Sequence, residues 1–311
     1  MACIEFVGVD WGTSSFRAWH CITGQEQRLL AKNEMGMSKL GPSDYAPYLE
    51  SVLREGRVPQ TVPVLVCGMA GARDGWREVP YVKAPAGRDE IASRAATARF
   101  GGYACKILPG VCHSTEGKFD VMRGEETLLF GALSRGSGDG VYCLPGTHSK
   151  WCRVKNGQLQ SWQTAMTGEL FALLTTQSTL SSFCGDRSAR LHETSEFSEA
   201  VRDVLGGKRS ALSDLFPIRA RALLDPKAET FNFAAHLSGL LIGQEIAGSK
   251  LEDVSHVILI SNGSICHAYS KALGIAGMGI NRLDSEQAVL AGLALFAGEL
   301  FEKDSFAEKV T

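Results

Sequence analysis

The 311-residue chain is poor in features that mark several classes of protein. Charged residues make up 21% of it, the formal net charge is −2, and no long run of lysine and arginine occurs. A duplex-binding surface needs clustered basic side chains to neutralise phosphates, so nucleic-acid binding is not expected. The nine cysteines are scattered without a C-x-x-C pair, which argues against a disulfide framework or a structural zinc site and favours a reducing cytoplasm.

Long hydrophobic runs and the common nucleotide motifs are also missing. The amino terminus lacks the basic start and apolar stretch of a signal peptide. The longest apolar segment, AVLAGLALFAGEL at 288–300, is shorter than the roughly 20 residues that span a bilayer, so it predicts a buried helix and no membrane partner. G-x-x-x-x-G-K-[ST], G-x-G-x-x-G, H-E-x-x-H and G-x-S-x-G are all absent, which argues against Walker-type, Rossmann, zinc-protease and hydrolase sites.

What the sequence does contain is a layout that occurs twice. FVGVDWGTSSFRAWHC at 6–21 predicts two strands joined by a polar turn, and VYCLPGTHSKWCRV at 141–154 predicts the same. Both place Gly-Thr at the tip of the turn, as Gly12-Thr13 and Gly146-Thr147, and both follow it with a strand that carries tryptophan. The pattern indicates an internal duplication.

The best boundary between the two copies is SRGSGDG at 134–140, which is small, polar and rich in glycine. It predicts a first domain at 1–135 and a second at 136–311, and leaves open whether the final helix packs back on the first domain. We expect the two repeated turns to face each other across a cleft.

The repeated turns have the chemistry of a phosphate clamp. Backbone N–H groups at a tight glycine turn bind phosphate well, and the hydroxyls of Thr13 and Ser14 add donors. Asp10 is the candidate ligand for a hydrated Mg²⁺, which prefers few protein ligands and many waters. Each turn by itself is more typical of an ordinary hairpin with a capped turn, and it is the repetition that favours phosphate binding.

Six short motifs then occur in order: DWGTSSFRAW, CGMAGARDGWREVPYVKAPA, VMRGEET, LPGTHSKW, MTGEL and LSGLLIGQEIA. With the duplicated unit, they make the chain resemble the 2-dehydro-3-deoxygalactonokinase family of the actin-like ATPase and sugar-kinase superfamily. The resemblance implies an α/β, two-lobed actin-like ATPase (ribonuclease H-like) fold, each lobe a mixed sheet with flanking helices. It also implies that ATP with Mg²⁺ phosphorylates 2-dehydro-3-deoxy-D-galactonate, a small sugar acid, on its 6-hydroxyl in galactonate breakdown. The oligomeric state, including a homodimer, stays open.

The resemblance assigns the nucleotide contacts to both copies of the turn and to a third motif, LISNGS at 259–264. The expected phosphate and adenosine contacts are Gly12, Thr13, Ser14, Gly146, Thr147, His148, Lys150, Gly263 and Ser264. For Lys150 the alternative is a solvated strand residue. For His148 the alternative is a neutral residue packed beside Trp151.

The catalytic base is expected at the helix start GEETLLFGA, 124–132. Related sugar kinases place an acid there, usually aspartate, directly after glycine. Glu125 occupies that position and is preferred over Glu126. Both acids are also what the dipole of a helix favours at its amino terminus, so a purely structural role is the alternative. Glu169 in MTGEL is a third candidate base and a candidate substrate contact.

The carboxylate of the substrate favours arginine, whose planar guanidinium binds it with two parallel hydrogen bonds. The candidates are Arg17, Arg73 and Arg123, and a surface or interdomain salt bridge is the alternative for each. Gly68, Met69 and Ala70 are expected to form a loop close to the sugar.

Two rival functions remain at this stage. One is a kinase for another sugar or keto-deoxy acid, such as the gluconate epimer. The other is a non-catalytic actin-like protein that binds ATP. A filament-forming protein needs no arginines for a sugar acid and hydrolyses ATP without an acceptor, so acceptor dependence distinguishes the two classes.

Overall fold

The computed structural model describes residues 4–115, 117–185, 190–251 and 253–302, and these form two compact units. The first unit contains the chain up to Asp139, then Val154–Ser161 and the residues from Ser285 onward. The second contains Gly140–Arg153 and Trp162–Asp284. Each unit combines a mixed sheet with helices. The predicted division into domains at 1–135 and 136–311, and the assignment of one substrate to each domain, stay predictions.

The strands are β1 (Glu5–Trp11), β2 (Phe16–Ile22), β3 (Arg28–Asn33), β4 (Val64–Gly68), β5 (Val82–Lys83), β6 (Ala96–Phe100), β7 (Tyr103–Ile107), β8 (Val111–Thr115), β9 (Lys118–Met122), β10 (Gly140–Leu144), β11 (Ser149–Lys155), β12 (Gln158–Ala165), β13 (His256–Ile260) and β14 (Gly279–Leu283). The helices are α1 (Tyr45–Glu55), α2 (Arg88–Ser93), α3 (Glu125–Ser134), α4 (Thr167–Thr176), α5 (Ser195–Leu205), α6 (Ala211–Leu224), α7 (Phe233–Gly248), α8 (Gly263–Ile275) and α9 (Ser285–Ala297).

The main sheet of the first unit has the order β3-β2-β1-β4-β7-β6. β1 is antiparallel to β2 and parallel to β4, and β4 is parallel to β7. β1 is buried along most of its length because it lies in the middle of the sheet, and its apolar run EFVGVDW suits that place. One face is covered by α1, which contributes Tyr45, Leu49 and Leu53 to the core.

The apolar run at 288–300 forms α9 and packs against α3 in the same unit, as the sequence predicts for a buried helix. Glycine permits the close approach. A Cβ at Gly131 would lie 1.9 Å from the carbonyl oxygen of Ala288, and a Cβ at Gly292 would lie 2.0 Å from that of Thr127. Helix α9 therefore supports the helix that begins with the two candidate base residues.

The five-stranded sheet, most of which belongs to the second unit, has the order β12-β11-β10-β13-β14, with β10, β13 and β14 parallel. Its first four strands repeat the order of the first sheet, which agrees with the repeat in the sequence. Helices α5, α7 and α8 supply most of its core, including Phe197, Leu237 and Tyr269. No helix in the described residues is both long and apolar enough to cross a bilayer.

Candidate active site

The first repeated turn joins β1 to β2 and is closed by its own backbone. Gly12 N donates to Ser15 O at 2.9 Å. The carbonyl oxygen of Thr13 accepts hydrogen bonds from Ser38 N at 3.0 Å and Ser38 Oγ at 2.8 Å, so a second loop braces the turn from behind. Thr13 and Ser14 are exposed. The turn is therefore fixed in shape while its hydroxyls face solvent, as a phosphate-binding loop requires.

Asp10, on β1 beside this turn, is paired with Arg17 on β2. The two residues are directly opposite in the antiparallel register, and Arg17 Nε donates to Asp10 Oδ2 at 3.1 Å. The thiol of Cys67 lies 3.9 Å from Asp10 Oδ1. Only 13% of the Asp10 side chain is exposed. Arg17 thus forms a salt bridge within the first unit, whereas the alternative named for it was a surface or interdomain salt bridge.

Two glycines in unusual backbone conformations bring the Gly68–Gly71 loop to the start of α3. Gly68 has φ 89° and Gly124 has φ 110°. Residues with a side chain rarely adopt these backbone angles. A Cβ on Gly68 would lie 2.6 Å from Trp11 O, and one on Gly124 would lie 3.3 Å from Gly68 Cα. The loop that the sequence assigned to the sugar is therefore directly beside the predicted base, whereas Arg73 lies exposed further along the same loop.

Arg123 lies in this same place and is incompletely bonded. Its Nη2 donates to Val79 O at 2.9 Å, and its guanidinium carbon is 4.3 Å from the centre of the Tyr81 ring. A Cβ on Gly71 would lie 2.7 Å from Nη1. Nε and Nη1 are buried and have no hydrogen-bond partner in the part of the chain that the structure describes. Buried donors without acceptors are costly, so Arg123 is suited to receive an anionic acceptor.

The two adjacent glutamates at the start of α3 differ in their surroundings. Glu125 is partly exposed, and its Oε2 accepts from Arg123 N at 3.0 Å. Glu126 is fully buried, and its two oxygens accept from Gly124 N at 2.9 and 2.7 Å. Thr127 Oγ1 also donates to Glu126, at 3.3 Å. Glu126 therefore holds the turn from inside, and Glu125 has access to solvent.

Burial, together with the smaller effect of the negative charge of Glu125, raises the pKa of Glu126 to about 8. The hydrogen bonds from the backbone and the charge of Arg123 act in the opposite direction. Burial also raises the pKa of the Cys67 thiol well above its usual range, with smaller contributions from Asp10 and Glu126. Cys67 is thus an unreactive thiol that lies close to both acids.

In the second unit, the second repeated turn packs against the start of α4. A Cβ on Gly168 would lie 2.4 Å from Gly146 O, and Glu169 N donates to Thr147 O at 3.0 Å. His148 Nε2 and Glu169 Oε2 are 2.5 Å apart. The predicted residues Gly146, Thr147, His148 and Glu169 are therefore together, next to the positive end of a helix dipole. The side chain of His148 is 47% exposed, so the alternative that it packs in the core is wrong.

Lys150 is only 3% exposed, and its Nζ donates to His148 O at 2.9 Å. The alternative of a solvated strand residue is therefore wrong. Its ammonium group supports the turn from beneath.

A cavity of about 200 Å³ adjoins this turn within the second unit. It lies among α4, α7 and α8, and its lining includes Gly146, Thr167, Ser264 and Tyr269. Most of the wall is apolar, with side chains such as Phe171 and Leu241. Ser264 follows Gly263, which begins α8 with φ 64°. The cavity has the size and lining that suit an aromatic base, with polar groups at one end; we refer to it as the α4–α8 cavity.

Sequence reasoning missed Glu245, a buried acid on α7. It accepts hydrogen bonds from Trp151 Nε1 at 2.8 Å, from Tyr269 OH at 2.7 Å and from Thr167 Oγ1. Burial raises its pKa, and these hydrogen bonds oppose that shift. Glu245 therefore ties β11, α4 and α8 together below the α4–α8 cavity. The available signal was a single acid inside the apolar run LSGLLIGQEIAG.

Metal ligation in the described residues is limited to isolated side chains. They contain no group of three or more His, Cys, Asp or Glu arranged to hold a metal ion. Asp10 supplies one carboxylate, which is compatible with Mg²⁺ held largely through water and substrate phosphates. The candidate residues for a metal and for phosphate thus form two groups, one in each unit: Asp10 with the first turn, and the second turn with the start of α4.

Comparison with known proteins gives a consistent result. A family model described as 2-keto-3-deoxy-galactonokinase matches residues 10–296. A Rhizobium meliloti (strain 1021) protein named "Probable 2-dehydro-3-deoxygalactonokinase DgoK1" is 37% identical over 94% of this chain and 96% of its own length. The 2-dehydro-3-deoxygalactonokinase of Escherichia coli (strain K12) is 30% identical over 94% of this chain and 97% of its own length.

Solved structures agree with the sequence comparison. A crystal structure described as that of a 2-dehydro-3-deoxygalactonokinase protein from Sinorhizobium meliloti has a TM-score of 0.86 at 35% identity, over 95% of this chain and 99% of the other. The activator of 2-hydroxyisocaproyl-CoA dehydratase from Clostridium difficile has a TM-score of 0.54 at 10% identity over 97% of each chain, which shows a shared fold alone. The predicted α/β fold of the actin-like ATPases and sugar kinases is confirmed.

Proposed function

The chain belongs to the 2-keto-3-deoxy-galactonokinase family, and from this premise we propose that it transfers the γ-phosphoryl group of ATP to the 6-hydroxyl of 2-dehydro-3-deoxy-D-galactonate. The observation that carries the proposal is the match to the family model from residue 10 to 296, which spans every candidate site residue. The reaction is a step of galactonate breakdown in the cytoplasm. The participants are the nucleotide and the sugar acid, and gel filtration decides between a monomer and a homodimer.

The first unit binds the sugar acid and activates its hydroxyl. Glu125 accepts the proton of the 6-hydroxyl because it is the accessible acid of the pair at the start of α3. Arg123 binds the substrate carboxylate through Nε and Nη1, whose donors have no other partner in the described residues. Gly68, Met69 and Ala70 line the path of the sugar, and Arg73 lies nearby on the same loop.

Asp10 holds the metal through water, and Thr13 and Ser14 donate to phosphate. The single carboxylate of Asp10 fits Mg²⁺, because one oxygen is held by Arg17 and the other is contacted, in the described residues, only by the weak thiol donor of Cys67. When bound, Mg²⁺ neutralises charge on the transferring phosphate. Arg17 orients the Asp10 carboxylate and limits its charge, which favours a hydrated metal over direct ligation.

The second unit binds the nucleotide. The backbone of Gly146 and Thr147 donates to phosphate at the amino terminus of α4, and His148 adds a donor whose orientation is fixed by Glu169. The base and ribose occupy the α4–α8 cavity next to Gly263 and Ser264. Lys150 acts from beneath the turn as a positive charge.

A coupled assay of ADP release over a panel of acceptors tests this function. The panel contains 2-keto-3-deoxy acids of the galactonate and gluconate series, gluconate and neutral hexoses. We expect turnover with the galactonate-derived acid and little ADP release without an acceptor. ADP release at the same rate in every mixture would instead identify an ATPase, and a clear preference for the gluconate-derived acid would reassign the substrate.

A further inference from the structure

A second, basic cavity lies in the second unit and has no part in the function proposed above. It has a volume of about 520 Å³ and is formed by α8, β14 and the short 3-10 turn Leu191–Glu193. It shares only His192 with the α4–α8 cavity. Four of its side chains are basic: His192, His267, Lys271 and Arg282. We refer to it as the α8–β14 cavity.

Among the described residues, no acid forms a salt bridge with either of the two fixed charges of the α8–β14 cavity. Lys271 and Arg282 are exposed, and within the described parts of the chain no carboxylate is in salt-bridge distance of either. Glu193 lies 3.9 Å from His192 and is itself bound by Arg190 at 3.1 Å. The cavity therefore carries an excess of positive charge.

The two histidines add to this pattern. His192 and His267 stack with ring centroids 5.4 Å apart and an angle of 28° between their planes. Burial lowers the pKa of His192, and the neighbouring His267, Arg190 and Lys271 lower it further, while Glu193 opposes them. The imidazole of His192 thus lies in a field that disfavours another positive charge, and a bound anion would relieve it.

The cavity also contains a buried hydroxyl that has no hydrogen-bond partner in the described part of the chain. Ser270, one helix residue before Lys271, is 6% exposed, and its Oγ has no hydrogen-bond partner among the described residues. A buried hydroxyl is normally satisfied by protein or water. An oxygen-rich ligand in the cavity would supply the missing partner.

We propose that the α8–β14 cavity binds a small phosphate monoester. Lys271 and Arg282 supply two fixed positive charges, which match a phosphate dianion, and the Arg282 guanidinium presents paired donors to two phosphate oxygens. Ser270 and the imidazoles of His192 and His267 complete the set of donors. A cavity of about 520 Å³ is larger than a bare phosphate needs, so it also accommodates the organic part of the ligand.

Titration followed by NMR tests the proposal on the full chain, which has seven histidines whose ring signals can be assigned by single substitutions. The probes are inorganic phosphate, glucose 6-phosphate, 6-phosphogluconate and gluconate. The three phosphates are expected to shift the ring signals of His192 and His267, and gluconate is expected to leave them in place. Equal responses to gluconate and glucose 6-phosphate would overturn the assignment to phosphate.

Substitutions locate the binding. In the double variant Lys271→Gln/Arg282→Gln, the Kd for glucose 6-phosphate is expected to rise at least about tenfold. The loss of even one hydrogen bond from a charged side chain changes a Kd by about that factor. Lys227→Gln changes an exposed lysine of the same unit outside the cavity and serves as the matched control. An unchanged Kd in the double variant overturns the proposal. So does displacement of glucose 6-phosphate from His267 by a non-hydrolysable ATP analogue, because the cavity would then be part of the nucleotide site.

Discussion

Glu125 and Glu126 are neighbours in sequence with opposite environments, and this difference separates their roles. Glu125 is partly exposed beside Arg123, whereas Glu126 is fully buried. We expect Glu125→Gln to lower kcat at least about 100-fold, because a positioned carboxylate contributes roughly 10²–10⁴-fold to proton transfer. ATP affinity should stay nearly unchanged. Steady-state kinetics with the sugar acid and calorimetric titration with ATP measure the two effects.

Glu126→Gln is the matched control for that substitution. With a pKa of about 8, Glu126 is mainly protonated at neutral pH, and glutamine resembles a protonated glutamate in size and charge. Its kcat should remain within a few-fold of wild type. A reversed order of the two variants would assign the base to Glu126, and wild-type turnover in both would place the base elsewhere, with Glu169 and Asp10 as the next candidates.

The raised pKa of Glu126 also predicts how stability depends on pH. Its pKa is about 8 in the folded chain and near 4.5, the ordinary value for glutamate, in the unfolded chain. Between these values the folded state binds more protons, so this group's contribution is full below pH 4.5 and is lost as pH rises through 8. Thermal unfolding should therefore show Glu126→Gln gaining stability relative to wild type over this range, with a constant difference above it. Parallel curves would show that Glu126 ionises normally.

At the scale of elements, the contact between the second turn and α4 depends on Gly168. A Cβ there would lie 2.4 Å from Gly146 O and 2.9 Å from Thr147 Cα, so Gly168→Ala must displace the turn. We expect KM for ATP to rise several-fold while KM for the sugar acid is retained. Gly274→Ala in α8, where a Cβ meets nothing within 4 Å, is the control. Equal kinetic constants for both variants and wild type would argue against phosphate binding at this turn.

Glu245 connects β11, α4 and α8 through buried hydrogen bonds, so the loss of one of them should lower the free energy of unfolding. Tyr269→Phe removes a hydroxyl that bonds Glu245 at 2.7 Å and Ser149 at 2.9 Å. The loss should cost about 1–3 kcal/mol in the free energy of unfolding, measured with urea. Because Tyr269 also lines the α4–α8 cavity, KM for ATP should rise too. A change in stability with unaltered KM would restrict this cluster to a structural role.

The sequence predicted those parts of the site that local patterns encode. The two Gly-Thr turns and the acids at 125 and 126 are visible because a turn and a helix start each have a residue signature. The role of Glu245 depends on the packing of distant segments. Glu245 receives hydrogen bonds from residues 94, 78 and 24 positions away, and no local pattern encodes such a meeting.

At the scale of the whole molecule, the two compact units are not continuous stretches of the chain. The first unit includes α9, which follows the whole second unit in sequence. The boundary at 134–140 was predicted from a small, polar, glycine-rich stretch of sequence. Such a stretch cannot show that a helix much later in the chain packs in the first unit. The apolar character of residues 288–300 predicted that they are buried. It did not predict that they pack against α3.

Because α9 packs on α3, we expect α9 to be necessary for the candidate site at the start of α3. α9 packs along α3, whose first turn carries Glu125 and Glu126, and the two helices touch at Gly131 and Gly292. Removing the chain after Asp284 would expose the apolar face of α3, so the shortened protein should be unfolded or aggregated by circular dichroism and light scattering.

A milder substitution separates loss of folding from loss of position. In Gly292→Ala the new Cβ would lie 2.0 Å from Thr127 O, so α3 and α9 must move apart. We expect a loss of roughly 1–3 kcal/mol in the free energy of unfolding, as overpacked interiors show, together with a lower kcat at unchanged ATP affinity. The fall in kcat follows because the shifted helix carries the base out of line with the hydroxyl. If Gly292→Ala unfolds earlier but turns over as fast as wild type, α9 supports the fold without positioning Glu125.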